Sequence, residues 1–172
     1  MQGKVIAWLV IAATGCADYD PPQETAAELW CSGLCGLEQR CMTSRYPDSC
    51  RADCVANRPG LANFSAQGAQ WVGSCIEASD CSMLFDEVAW HEGLDACWAE
   101  AQAELEPTPR IRAFCTEFIV PWFECGYWFA GSECERIYGM WAAPVIDRLE
   151  TCMTISDCEA FEGCVTGVFE SL

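Results

Sequence analysis

Between Glu24 and Ser44 the apolar positions Ala27, Trp30, Cys31, Leu34, Cys35 and Cys41 recur at the spacing of one helical face. Pro47-Asp48 follows as a turn and a start signal, and predicts a shorter helix that runs through Asn57 and is ended by Pro59-Gly60. A third helix is expected from about Asn63 to Ala78, with Trp71, Val72 and Cys75 turned inward. Ser79 and Asp80 are good N-caps for a fourth, reaching Glu104 and bent at Gly93. After the Pro-rich joint Glu106-Pro107-Thr108-Pro109 the series restarts. Thr108-Pro109 reads as an N-cap followed by proline at the first helical position. Ser132, Pro144 and Ser156-Asp157 open the remaining segments. Strand-like alternation is almost absent. The expected fold is all-α and disulfide-rich, with two tandem four-helix repeats over residues 24–106 and 107–172.

The cysteines carry the repeat. Cys31, Cys41 and Cys50 recur as Cys115, Cys125 and Cys134 at a constant offset of 84 residues. CIEASDC, Cys75 to Cys81, recurs as CMTISDC, Cys152 to Cys158, with Ser-Asp in the same place. Matched gaps together with a shared dipeptide indicate two copies of one unit. Cys35 and Cys54 occur only in the first copy; Ile119 and Tyr138 stand at the matching positions of the second. Joint presence and joint absence predict a Cys35–Cys54 bridge between the first two helices. The same hairpin would bring Cys41 near Cys50 and Cys125 near Cys134, although Cys31 competes as a partner. Cys97 and Cys164 bring each half to an even count, and the other pairings stay open.

Cys16 lies outside both copies. Lys4 is the only charge before Asp18, and Val5 to Ala13 is apolar, too short to cross a bilayer as a helix. A charged start, a short apolar core and then small residues is the pattern of a secretion signal. With Ala13-Thr14-Gly15 before Cys16, the segment resembles the lipobox of bacterial lipoproteins, with Ala13 where that motif usually has Leu. The resemblance implies removal of residues 1–15 and a lipid on Cys16; ordinary signal cleavage leaving a plain thiol is the alternative. Of the fifteen cysteines, setting Cys16 aside leaves an even fourteen that can close into disulfides. Together with CEAFEGC and its neighbours, the chain resembles uncharacterised cysteine-rich lipoproteins of GC-rich Gram-negative bacteria, a likeness that brings no activity with it. Ala17 after the cysteine favours the outer membrane by the sorting pattern of that group.

Composition narrows the partners. The formal net charge is −17, and after removal of Lys4 all eight basic residues are Arg against 26 acids. Such a surface repels phosphates and excludes nucleic acid binding by charge attraction. Residues 17–23, ADYDPPQ, form a tether that reaches about 25 Å at most. With a lipid on Cys16 the expected partner is a membrane, and the domain sits close to it.

Chemical motifs are few. His91 is the only histidine and opens HEGLD, with Asp95 where a zinc-binding H-E-x-x-H helix has its second histidine. It reads as a solvated helix face, and no metal or cofactor is expected. No serine-hydrolase turn, C-x-x-C, phosphate loop or calcium loop occurs. No sequence feature speaks for an enzyme, and no catalytic residue is assigned. The expected function is a membrane-anchored extracytoplasmic binding or structural module. Soft-metal capture by reduced thiols is the alternative, and an uncharacterised enzyme stands behind it.

One stretch stands out as a candidate partner surface: FIVPWFECGYWF, with Phe118, Trp122, Phe123, Tyr127, Trp128 and Phe129. Trp122 and Phe123 replace Glu38 and Gln39 of the first copy, so a polar face has become aromatic. Two readings follow. The face packs against the first copy and joins the two units, or it is exposed and docks a partner. Pro121 is expected to kink the helix and turn Trp122 outward.

Overall fold

A computed structural model describes residues 24–42 and 47–172. Cys16, the apolar run before it and the tether lie outside the described residues, as does the expected helix end at Ser44. Among the described residues eight α-helices follow one another: α1 (Ala26–Cys41), α2 (Pro47–Asn57), α3 (Ala66–Ala78), α4 (Glu87–Glu104), α5 (Pro109–Glu124), α6 (Gly131–Tyr138), α7 (Ala143–Cys152) and α8 (Cys158–Glu170). There are four in each half and no strand among the described residues; Phe64 and Trp141 share one isolated bridge.

Local chemistry accounts for most helix starts. Thr25 and Glu28 form a capping box: the Thr25 hydroxyl accepts from the Glu28 N–H at 3.2 Å, and the Glu28 carboxylate accepts from the Thr25 N–H at 2.7 Å. The Thr25 N–H, and then the Thr25 hydroxyl donating to the same carboxylate at 2.8 Å, hold the Glu28 carboxyl below its ordinary value. Ser65, Thr108 and Asp157 cap α3, α5 and α8. The fourth segment is not continuous from Ser79. Asp80 caps a 3₁₀ turn, Cys81–Leu84, and Asp86 then accepts from the N–H groups of Val88 and Ala89 to start α4. Gly93 makes room for the Met83 side chain of that turn. Val72 is buried as expected, whereas Trp71 points to solvent.

Seven disulfides join all fourteen cysteines of the described residues, and none crosses between the halves. The three expected pairings are corrected. Cys35 bonds Cys50, and Cys54 bonds Cys31. α1 and α2 form an antiparallel hairpin, so the later residue of one helix faces the earlier residue of the other, giving two rungs one turn apart. The second half has one rung, Cys115–Cys134, between the counterparts of Cys31 and Cys50. The second half thus has one cysteine matching each of the two first-half bridges, and these two bond each other, four residues out of register with the first-half rungs. Cys41 bonds Cys81 rather than Cys50, and Cys125 bonds Cys158 rather than Cys134. Each ends its first helix and is met by the cysteine that Ser-Asp presents at the start of the next element. The other cysteine of that motif bonds forward, Cys75 to Cys97 and Cys152 to Cys164. Two pairings thus recur between the halves, Cys41–Cys81 as Cys125–Cys158 and Cys75–Cys97 as Cys152–Cys164, while the hairpin rungs differ.

Each half has its own core. Trp30, Leu37, Val72, Ile76 and Ala101 centre the first; Phe114, Phe118, Ile146, Leu149 and Phe161 centre the second. The seam between them is made by the turn after α6. Met140 is buried in the first half's core. Ser65 N–H donates to the Met140 carbonyl at 2.8 Å, and Ala142 N–H donates to the Asn63 carbonyl at 2.8 Å. Trp141 packs against Phe64 and Trp98 of the first half and Phe169 of the second.

Candidate functional site

The aromatic stretch divides into an anchored part and an exposed part. Phe118 is fully buried among Phe114, Tyr138 and Phe161, so it belongs to the core and not to a partner surface. Trp122 is half-buried and sits against Phe118, Tyr127 and Phe161. α5 continues through Pro121, and Trp122 is turned inward onto Phe118 and Phe161 rather than outward. The Trp122 indole N–H is buried without an acceptor, which leaves ring packing to hold the side chain.

Beyond Trp122 the chain turns back. Gly126 has φ of 87°, the left-handed region open to glycine. Gly126 N–H donates to the Phe123 carbonyl and Tyr127 N–H to the Trp122 carbonyl, at 3.0 and 2.9 Å. That pair of bonds is a Schellman cap, and it aims the next residues away from the helix axis. Trp128 is 84% exposed, Phe123 64% and Tyr127 50%. With Ile119, Val120 and Phe129 they line a groove of about 430 Å³ closed by Ala130 and Gly131. The base of this tip is tied to α8 by Cys125–Cys158. A hydrogen bond from Tyr127 to Glu162, reinforced by that carboxylate's charge, raises the Tyr127 hydroxyl above its ordinary value.

The stretch therefore does not join the two units. That role belongs to Trp141 and Met140, which no single-copy pattern marks, because their partners Phe64 and Trp98 lie far away in sequence. Ile119 and Val120, aliphatic members of the same stretch, line the groove beside its aromatics. The Gly126 cap was the available signal: glycine directly after an apolar helix, followed by three aromatics.

The remaining candidates disperse. His91 and Asp95 lie exposed on α4, and among the described residues no cluster of three or more His, Cys, Asp or Glu could hold a metal ion. No described helix is long and apolar enough to cross a membrane. Seven disulfides in a chain of this size point to an oxidising, extracytoplasmic compartment. No protein-family model, curated protein or solved structure matches the chain.

Proposed function

We propose that this chain is an extracytoplasmic binding module, tethered through a lipid on Cys16 to a bacterial outer membrane, that docks a protein partner on the α5–α6 tip. One observation carries the docking: Phe123, Tyr127 and Trp128 stand in solvent on a disulfide-braced turn whose neighbour Trp122 is anchored in the core. Exposed aromatics on a rigid support lose little conformational freedom on binding, and such residues dominate interface energies. Charge favours a protein over a lipid headgroup. The tip carries no basic residue, and Glu124, Glu133 and Glu162 surround it, so an anionic bilayer surface is repelled. The lipid and the short tether would keep the tip near the membrane without inserting it. All fourteen cysteines of the described residues are in disulfides, which supports a scaffold over a thiol reservoir for soft metals.

A photo-reactive amino acid in place of Trp128, introduced in the source cells, tests the docking. One discrete adduct, lost with Phe123→Gln and absent with the probe at the exposed Glu159, is the expected result. A ladder of adducts equal at both positions refutes it. The anchor is tested separately: Cys16→Ser is expected to leave the membrane fraction or stay unprocessed, and a variant processed and fractionated like the parent refutes it.

A further inference from the structure

The first half contains a second surface, unrelated to the aromatic tip. α1 and α4 both pack on α3 rather than on each other, which leaves a furrow between them. Trp30 of α1 and Trp90 of α4 meet edge to face across it, with ring centroids 6.5 Å apart. On either side of this contact the furrow opens into a hollow. One, of about 300 Å³, is walled by Trp30, Phe64, Leu94 and Trp98, with Asp95 at its lip. The other, of about 420 Å³, has Leu34, Met83, Phe85 and Trp90 as its apolar wall, with Asp86 and Glu87 at its lip. Leu34 lies one turn beyond Trp30 on α1, and Trp90 one turn before Leu94 on α4, so the hollows follow one another along both helices.

The chemistry repeats. Each hollow offers apolar and indole surface beside carboxylate. An indole face attracts cations, and the protein already uses one in this way: the Arg58 guanidinium lies over the Trp30 ring, 5.1 Å from its centroid. Arg58 also lines the larger hollow, where it is the only basic residue, and Glu38 lines it too. A chain of net charge −17 adds a long-range field of the same sign.

We infer that the α1–α4 furrow binds a basic amphipathic peptide segment of a partner protein. Its aliphatic residues would fill the hollows, and its Lys or Arg side chains would lie between the indoles and Asp95, Asp86 and Glu87. A single small cation satisfies one hollow; a peptide with basic and apolar groups about one turn apart satisfies both.

The test uses the folded, oxidised domain and a short helical Leu/Lys peptide, with a Leu/Glu peptide of equal length as control. Tryptophan fluorescence follows binding, since Trp90 and Trp98 are half-buried in the furrow. Saturable one-to-one binding of the basic peptide alone is expected, weakening with salt. The charge-neutralising pair Glu87→Gln and Asp95→Asn is expected to weaken it about tenfold. The pair Glu159→Gln and Glu170→Gln, which removes the same charge from the other half, should leave it within about twofold. All four positions are exposed, and circular dichroism checks that both variants stay folded. Equal losses in the two variants would reduce the effect to net charge and overturn the site. Tetramethylammonium binding as tightly as the peptide would overturn the two-hollow occupant.

Discussion

Gly33 of α1 and Gly73 of α3 touch backbone to backbone. A Cβ on Gly33 would collide with the Gly73 carbonyl, and one on Gly73 would lie 2.7 Å from the Leu29 carbonyl oxygen. Glycine inside a helix costs about 0.5–1 kcal/mol relative to alanine; here it allows α1 and α3 to make the most extensive helix contact in the fold. In the second copy Glu117 and Glu150 stand at the matching positions, and α5 and α7 meet far less closely. An Arg110 ion pair to Asp147, with Glu150 at 3.7 Å, links those two helices instead.

Gly33→Ala and Gly73→Ala are therefore expected to lose about 3 kcal/mol or more, because backbone cannot move aside as a side chain can. Gly163→Ala in α8, where a Cβ meets nothing within 4 Å, should gain about 0.5–1 kcal/mol. Urea midpoints of the oxidised variants check both. Equal behaviour of Gly33→Ala and Gly163→Ala would rule out the close crossing.

The two-rung hairpin makes a chemical prediction. Cys35→Ser should expose one reactive thiol at Cys50 and leave Cys54 bonded to Cys31. Peptide mapping after alkylation under non-reducing conditions identifies the thiol; label on Cys54 would return the pairing to Cys35–Cys54. Removing both residues of one rung is expected to cost about 2–4 kcal/mol.

Trp122 and Phe123 are neighbours with opposite fates. Trp122→Glu places a charge among Phe118, Tyr127 and Phe161 and should destabilise by several kcal/mol, on the order of 3. Phe123→Gln changes an exposed ring and should stay within about 0.5 kcal/mol. A large loss from Phe123→Gln in thermal melts would mean that the tip is packed rather than presented.

Tyr138 gives alkaline pH a specific effect. Burial among Phe114, Phe118 and Phe169 pushes its hydroxyl from an ordinary 10.0 up to about 12. Between those values the unfolded chain releases a proton that the folded chain keeps, so stability falls as pH rises. The loss is on the order of 2 kcal/mol across the window. Tyr138→Phe should show a shallower decline in denaturant midpoint from about pH 9 to 12. Parallel curves for variant and parent would remove Tyr138 as the cause.

Much of the fold was legible along the chain because its signals are local. Helical periodicity, the caps at Thr108 and Asp157, and the closely spaced cysteines act within a few residues, so an all-α, disulfide-rich chain with four helices in each half could be read directly. Pairing was not legible. Whether Cys35 faces Cys50 or Cys54 depends on the sense and register of two packed helices, and Cys41 meets Cys81 because α3 packs parallel to α1, so that the two helices end side by side. The candidate site followed the same division. Composition and the comparison with Glu38 and Gln39 marked the aromatic stretch, but Phe118 and Trp122 are core while Phe123, Tyr127 and Trp128 are surface. Periodicity along one helix cannot make that separation. It was decided by where α8 places Phe161 and by the left-handed turn at Gly126, since burial is a property of the elements that close over a residue and not of the residue's own sequence.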